Sequence, residues 1–188
     1  MPAPVVTATP EDVGLSSAGL ARVDAYVQAQ IEAGLIPGAV TLVARHGKVC
    51  HVHAMGLKDI ASGEPSRVDG IYRIFSMTKA VTAVAMMILW DEGRWTLDDP
   101  VALHLPELAD LKLVDGSRPQ RQPTIRDLVT HSAGFSYGSA LSDQSDPVNA
   151  AYVAAGVWDA GDLGDMMRRL GTCPLAYEPG TSWRYSNR

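Results

Sequence analysis

The hydrophobic pattern changes from helical to β spacing within the first 55 residues. Between Ser16 and Gly34, apolar side chains recur at every third or fourth position, and these two residues are suited to begin and end a helix. Two β-rich runs follow, residues 39–45 (AVTLVAR) and 49–55 (VCHVHAM), with residues 46–48 (HGK) between them. So short a connection predicts a hairpin of adjacent antiparallel strands. A helix available to cover one face of the hairpin indicates an α+β layer.

An apolar run without a polar face lies near the middle of the chain. Residues 71–75 form a short strand-like run, the segment Ser76-Met77-Thr78-Lys79 follows, and residues 80–90 are apolar nearly all round. Such a pattern is typical of a helix that is buried on every side. The run is too short to span a bilayer, so we interpret it as a core helix.

Cap residues predict two further helices. Thr124 and Asp127 form a capping-box pattern at the start of one, and residues 163–170, closed by Gly171, form the other. Residues 136–161 are rich in Ser, Asp, Ala and Gly, which predicts a surface excursion with one helix. Because we find neither an internal repeat nor a clean linker, we predict a single compact unit with a helical insertion.

Composition and charge narrow the class of protein. The chain has 188 residues, 46% of them hydrophobic and 20% charged, as in a globular domain with a real core. A formal net charge of -5 argues against nucleic acid or an anionic membrane as partner, because binding phosphates needs a basic face. The N-terminus lacks the pattern of a secretory signal, so we predict a cytoplasmic location. Cys50 and Cys173 are far apart, and we expect buried free thiols.

Ser76 and Lys79 are the strongest candidates for chemistry. On a helix, positions three apart share a face, so the Lys79 amine is expected beside the Ser76 hydroxyl. The positive end of the helix would favour an alkoxide or oxyanion there, and an apolar setting favours the neutral amine. The pair therefore fits an activated nucleophile, although Ser-x-x-Lys alone is also compatible with a capping Ser and a solvated Lys.

Other candidates are better explained by structural roles. His51 and His53 share one face of a strand without an evident third ligand, so a metal site is not expected. We interpret His131 as a hydrogen-bonding residue at a helix end. The absence of a G-x-S-x-G elbow argues against an α/β-hydrolase, and no phosphate-binding glycine loop is present, so no cofactor is predicted.

Three motifs occur in a familiar order along the chain. They are residues 75–80 (FSMTKA), residues 125–134 (IRDLVTHSAG) and residues 178–187 (EPGTSWRYSN), with shorter markers at residues 38–40 and 98–101. Together they resemble the serine β-lactamase and penicillin-binding-protein superfamily, in particular class C β-lactamases and the related family VIII carboxylesterases. The resemblance covers nearly the whole chain.

The resemblance implies a β-lactamase/transpeptidase-like fold of the α+β class, in which helices flank an antiparallel sheet and a helical subdomain is attached. Residues 1–75 would be the N-terminal helix and hairpin of the α/β domain. Residues 76–188 would be the nucleophile helix and a mostly helical subdomain that ends at the Y-S-N motif.

The resemblance also implies a Ser-Lys-Tyr mechanism. Ser76 would attack an ester or amide carbonyl to form an acyl-enzyme. Tyr185, its proton affinity lowered by Lys79, would act as general base and then as acid to the leaving group. Asn187 would orient Lys79 or a substrate carbonyl, and the Ser76 N–H would supply one oxyanion donor.

The chain departs from the superfamily pattern at its C-terminal side. The third motif, K-T-G, H-T-G or W-G-G on a strand, does not follow the Y-S-N element, and neither do the remaining strands and the C-terminal helix. The second oxyanion donor of these proteins comes from that strand. We therefore expect an incomplete fold, with unpaired strand edges through which the chain could self-associate.

Several functions share these motifs. A carboxylesterase acting on small esters is the first hypothesis, and Trp183 and Tyr137 are candidates to line its acyl pocket. A β-lactamase, D-aminopeptidase or transesterase of the same superfamily is the alternative. A truncated, inactive fragment that lacks the third motif is the remaining hypothesis.

Overall fold

The structure, a computed structural model, describes residues 4–186. The chain divides into two compact units, Met1–Ile74 and Phe75–Arg188, so the predicted single compact unit is wrong. The domain boundary predicted after residue 75 stays a prediction.

In the first unit, helix α1 is Ser17–Glu32. The Ser16 hydroxyl accepts a hydrogen bond from the Gly19 N–H, which satisfies one of the free donors in the first turn. Gly34 follows the helix with φ 70°, a left-handed conformation that glycine adopts without steric cost. The predicted helix, its cap and its stop are confirmed.

The predicted hairpin is confirmed and extended by a short third strand. Strands β1 (Gly38–Arg45), β2 (Lys48–Asp59) and β3 (Glu64–Pro65) pair antiparallel in the order β1-β2-β3. His46 and Gly47 connect β1 to β2 with φ 53° and 73°, and positive φ at both central residues matches the right-handed twist of the strands. The fold belongs to the predicted α+β class.

A cluster of one aspartate and two histidines joins α1 to the hairpin. Asp24 on α1 contacts His51 Nε2 at 3.0 Å and His53 Nδ1 at 2.9 Å, and both histidines lie on β2. Partial burial opposes ionisation of Asp24, but the hydrogen bonds from the two rings prevail and lower the pKa of its carboxyl group. The shared face of the two histidines thus serves to anchor the helix, and the sequence did not indicate Asp24 as their partner.

In the second unit, four α-helices surround a continuous apolar core. They are α2 (Thr78–Asp91), α3 (Ile125–Val129), α4 (Pro147–Ala154) and α5 (Leu163–Gly171). The largest fully buried side chains in this core are Tyr152, Leu111, Leu170, Leu175, Val101 and Val157. Cys173 belongs to the same core, Cys50 is buried in the first unit, and neither forms a disulfide, as expected.

The predicted burial of α2 on every side is wrong. Within this described helix no residue is buried, and Val81 and Val84 are each 63% exposed. Met86 packs partly against the core, so the described chain covers one side of the helix. Residues 71–74 form no strand, and Ile71 is 99% exposed. An apolar pattern shows which surface of a helix is hydrophobic, but it does not show whether another part of the chain packs against that surface.

The predicted surface excursion over residues 136–161 is also wrong in part. Helix α4 and the turn after it insert Val148, Tyr152 and Val157 into the core. The Tyr152 hydroxyl accepts a hydrogen bond from the Ser136 N–H at 3.2 Å, which satisfies its polar group in the interior. Most residues of this segment are small or polar, so its average composition did not reveal the few apolar residues that are buried.

Asp127 is the buried acid at the start of α3. Its carboxylate accepts hydrogen bonds from the Thr124 N–H at 2.8 Å and from the Arg121 guanidinium at 2.5 and 3.0 Å, and the predicted capping box is confirmed. Burial acts to raise the pKa of Asp127, but the hydrogen bonds from Arg121 and Thr124 outweigh it and lower that pKa.

Asp127→Asn should lower the free energy of unfolding by about 2–3 kcal/mol, because it leaves Arg121 and the helix start without their anionic partner. A lowered carboxyl pKa in the folded state stabilises above the unfolded value of about 4, and this contribution is lost as the pH falls through the folded pKa. Urea unfolding of wild type and variant at pH 7 and pH 3 should therefore differ much more at pH 7. Asp110→Asn is the control, because its pair with Arg118 is exposed. Equal losses in both variants would contradict the role of Asp127.

Candidate active site

Ser76 lies in a tight 3-10 turn, Phe75–Met77, directly before α2. Phe75 has φ 43°, a left-handed conformation that costs free energy in a residue other than glycine. The turn carries the chain sharply into the helix and leaves Ser76 exposed at the N-terminal end of α2. The partial positive charge of this helix end favours negative charge on the Ser76 oxygen.

Lys79 lies in the first turn of α2, three residues after Ser76. Its Nζ atom is 4.9 Å from the centroid of the Tyr185 ring. An ammonium at this distance interacts favourably with the ring, and it also favours the anionic form of the phenol. Lys79 and Tyr185 are thus neighbours, although they are more than 100 residues apart in the sequence.

The Tyr185 hydroxyl lies beside two of the other predicted site residues, Ser76 and Lys79. Hydrogen bonds from Ser76 and then Lys79 lower the pKa of the Tyr185 phenol, and the positive charge of Lys79 adds to this effect. The structure therefore brings together Ser76, Lys79 and Tyr185. Asn187, the fourth predicted site residue, lies outside the described residues.

The segment that carries Tyr185 is held by the loop after α3. The Gly180 N–H donates to the Ser132 carbonyl at 2.8 Å, and the Arg184 N–H donates to the His131 carbonyl at 3.0 Å. The Arg184 guanidinium bonds Asp146 at 2.6 Å. The motifs at residues 125–134 and 178–187 are therefore packed against each other, and the motif at residues 75–80 supplies the serine.

His131 makes more contacts than its predicted role at a helix end required. It has φ 57°, and its ring is tilted against the Tyr185 ring with centroids 4.8 Å apart. Burial and the charge of Lys79 lower the pKa of the imidazole. Its neighbour Tyr185 could not be identified from spacing along the chain, because 54 residues separate the two.

An apolar cavity of about 560 Å³ adjoins Ser76 and Lys79. Its walls include Met86 on α2, Met166 on α5 and the aromatic pair Tyr137 and Trp158. The Trp158 Nε1–H donates to the Tyr137 carbonyl at 3.0 Å, and the two rings are 5.6 Å apart. Tyr137 was a candidate for this position, whereas Trp158 was missed and Trp183 is not among the lining residues.

Metal-binding clusters and membrane-spanning helices are both absent from residues 4–186. No group of three or more His, Cys, Asp or Glu side chains in this part of the chain could hold a metal ion. Among the described helices, none is long and apolar enough to cross a bilayer.

Curated proteins with similar sequences include two esterases. Esterase EstB from Burkholderia gladioli is 37% identical over 183 residues, which are 94% of this chain and 45% of the relative. Lovastatin esterase from Penicillium rubens is 30% identical over 174 residues, which are 86% of this chain and 42% of the relative. The chain therefore spans less than half the length of these relatives.

A solved structure of a hydrolase is also similar to this chain. EstCE1, described as a hydrolase with promiscuous acyltransferase activity, aligns with a TM-score of 0.76 and 32% identity over 89% of this chain and 43% of that chain. The predicted β-lactamase/transpeptidase-like fold is confirmed. Because a profile of the Beta-lactamase family also matches residues 23–188, the chain belongs to the Beta-lactamase family.

Proposed function

We propose that this chain carries the nucleophile and the general base of a serine hydrolase that cleaves carboxylic esters through an acyl-enzyme. The observation that carries the proposal is the meeting of Ser76 and Lys79 at the Tyr185 hydroxyl, with the pKa of that phenol lowered. A base with a lowered pKa beside a serine hydroxyl is the arrangement that activates a nucleophile.

In the first half-reaction, the Tyr185 phenolate accepts the Ser76 proton while the Ser76 oxygen attacks the ester carbonyl. The Ser76 N–H, at the start of α2, donates to the carbonyl oxygen as it becomes negative. The tetrahedral adduct collapses, the C–O bond to the alcohol breaks, and Tyr185 returns its proton to the departing alkoxide. Lys79, beside the Tyr185 ring, stabilises the phenolate at both stages.

In the second half-reaction, water replaces the alcohol. Tyr185 accepts a proton from water as the water oxygen attacks the acyl carbonyl, and the Ser76 oxygen leaves with that proton. The products are a carboxylic acid and the free enzyme. The steps are the reverse of acylation with water in the place of the alcohol, so the same residues serve both.

The cavity favours an apolar acyl or alcohol group in the substrate. Met86, Met166 and Trp158 offer it hydrophobic surface near the nucleophile. The names of EstB and lovastatin esterase support esters as the substrate class.

Acyl transfer to an alcohol is the second candidate function. It is favoured by the promiscuous acyltransferase activity of EstCE1. In this reaction an alcohol takes the place of water, and the Ser76 acyl-enzyme is common to both outcomes.

The predictions of self-association and of a cytoplasmic location stay proposals. Among the described strands β1 has β2 as its partner, so its outer edge offers unpaired groups for self-association. The cytoplasmic location rests on the sequence. Sedimentation over a range of concentrations would test the first of these, and a constant monomer mass would contradict it.

The proposed acyl-enzyme should be trapped as a covalent adduct on Ser76. We expect acid quenching during turnover of p-nitrophenyl butyrate to leave a butyryl group on the peptide that contains Ser76, as mass spectrometry would detect. Thr78 and Thr82, which also line the cavity, should stay unmodified. An adduct on either threonine or on Lys79 alone would contradict Ser76 as nucleophile. Release of p-nitrophenol without any adduct, even at the earliest quench, would favour direct attack by water.

A further inference from the structure

His131 contacts the backbone on both sides of Tyr185. Its carbonyl oxygen accepts a hydrogen bond from the Arg184 N–H at 3.0 Å, and its Nδ1 atom accepts one from the Ser186 N–H at 3.3 Å. The Tyr177 hydroxyl also donates to the His131 carbonyl, at 3.4 Å. The residues before and after Tyr185 are therefore both hydrogen-bonded to His131.

The imidazole also contacts the Tyr185 side chain, which lies between these two hydrogen bonds. The His131 and Tyr185 rings are 4.8 Å apart and inclined by 42°, so the imidazole limits the rotation of the phenol. With the backbone held at residues 184 and 186, and the ring held from one side, the Tyr185 oxygen has little freedom to leave Ser76 and Lys79.

The bond from Ser186 requires one particular state of His131. A nitrogen that accepts from an N–H cannot itself carry a proton, so Nδ1 must be bare and the neutral ring must carry its proton on Nε2. The Ser186 hydroxyl lies 3.4 Å from the same nitrogen and can donate to it as well. Protonation of Nδ1 would turn an acceptor into a donor that faces another donor.

We propose that His131 is a positioning residue for the general base: its neutral imidazole holds the Tyr185 hydroxyl against Ser76 and Lys79. The proposal rests on the function proposed above and assigns His131 no contact with the reacting atoms. It adds that protonation of His131 switches this alignment off.

The surroundings of His131 keep it neutral near pH 7. Burial, and then the positive charge of Lys79, lower the pKa of the imidazole below its usual range. The titratable and charged side chains on the segments around it are Lys79, Arg126, Asp127, Tyr137, Tyr177, Glu178, Arg184 and Tyr185. Of these, Arg126 bonds Asp98, and Glu178 accepts a hydrogen bond from the Gln120 N–H. No carboxylate among them is hydrogen-bonded to the ring within the described residues, so none favours the imidazolium ion.

Two substitutions at His131 distinguish the effect of the side-chain acceptor from the effect of the backbone conformation. His131 has φ 57°, which both asparagine and glycine adopt more readily than other residues. His131→Asn keeps an acceptor oxygen at the place of Nδ1, whereas His131→Gly removes the acceptor and leaves the backbone bonds. We expect kcat for p-nitrophenyl butyrate to fall about 100-fold in the glycine variant and about threefold in the asparagine variant, with KM nearly constant in both.

The pH profile distinguishes positioning from a structural role. In wild type, protonation of Tyr185 already lowers kcat/KM as the pH falls below the tyrosine pKa, and protonation of His131 should make this decline steeper below about pH 6.5, the ordinary histidine pKa. His131→Asn has no proton to gain, so the steeper part should be missing, whereas the decline caused by Tyr185 should remain. This readout uses a variant that retains the acceptor, and a melting curve checks that both variants are folded.

A spectroscopic readout is independent of turnover. In chain labelled with ¹³Cζ-tyrosine, with the signal assigned by Tyr185→Phe, the pKa of Tyr185 should stay lowered in His131→Asn. It should rise toward the ordinary value of about 10 in His131→Gly. If wild type has no esterase activity but this contrast appears, the proposed function fails and the positioning role stands.

Three outcomes would overturn the positioning role. The first is an equal pKa of Tyr185 in the two variants. The second is the same steeper decline of kcat/KM below about pH 6.5 in His131→Asn as in wild type. The third is a higher KM with constant kcat in both variants, which would make His131 a substrate-binding residue of the cavity that it lines.

Discussion

We expect Ser76→Ala to lower kcat for hydrolysis of p-nitrophenyl butyrate by about 10⁴-fold or more, the largest effect of any single substitution in this chain. Without the hydroxyl the proposed acyl-enzyme cannot form, so Tyr185 would have no nucleophile to activate and hydrolysis would depend on direct attack by water. The substitution removes one oxygen atom from an exposed side chain, so the melting temperature should change little. Release of p-nitrophenol under initial-rate conditions is the measurement.

Ser62→Ala is the matched control for this substitution. Ser62 is an exposed serine in the turn between β2 and β3, and its hydroxyl accepts a hydrogen bond from the Glu64 N–H. The same atom is removed from a serine of the other unit, so activity should equal that of wild type. Equal activity of Ser76→Ala and wild type would rule out Ser76 as nucleophile, and with it the proposed mechanism.

The second largest effect is expected from Tyr185→Phe, which removes the proposed general base but keeps the ring. We expect kcat to fall about 10²- to 10⁴-fold, the usual contribution of a positioned acid–base group. In the proposed mechanism Tyr185 acts as a base when it is ionised, so wild-type activity should increase as the pH rises through the pKa of Tyr185. Because Ser76 and Lys79 lower that pKa, the rise should occur below about pH 10.

The pH profile of Tyr185→Phe is the sharper part of this prediction. The variant has no phenol to ionise, so the alkaline rise should disappear along with most of the activity. Tyr26→Phe is the control, since Tyr26 lies on α1 and is 66% exposed. Should the alkaline rise persist in Tyr185→Phe, another group would be the base, and Lys79 would be the first to examine.

The sequence predicted the parts of the fold that depend on neighbouring residues. The cap at Ser16, the turn at His46 and Gly47, and the capping box of Thr124 and Asp127 each depend on a few adjacent positions. Hydrogen bonds over three or four residues can be inferred from residue types alone, because the backbone brings such residues together in any fold.

The environment of each element could not be predicted in this way. The apolar pattern of α2 predicted burial, yet Val81 and Val84 are exposed, and the polar composition of residues 136–161 hid the buried Tyr152. Burial is a relation between elements that are distant in sequence. A pattern within one element shows what it could bury, and packing decides what it does bury.

For the candidate site, the sequence by itself determined which residues were predicted to carry the chemistry: a serine and a lysine three residues apart, and a tyrosine in a Y-S-N motif. Tertiary structure alone decided that Tyr185 meets Ser76 and Lys79, that His131 holds the chain at Arg184 and Ser186, and that Trp158 lines the cavity. Each of these contacts joins residues separated by dozens of positions. Their proximity comes from packing the loop after α3 against the C-terminal segment, and no local pattern records that contact.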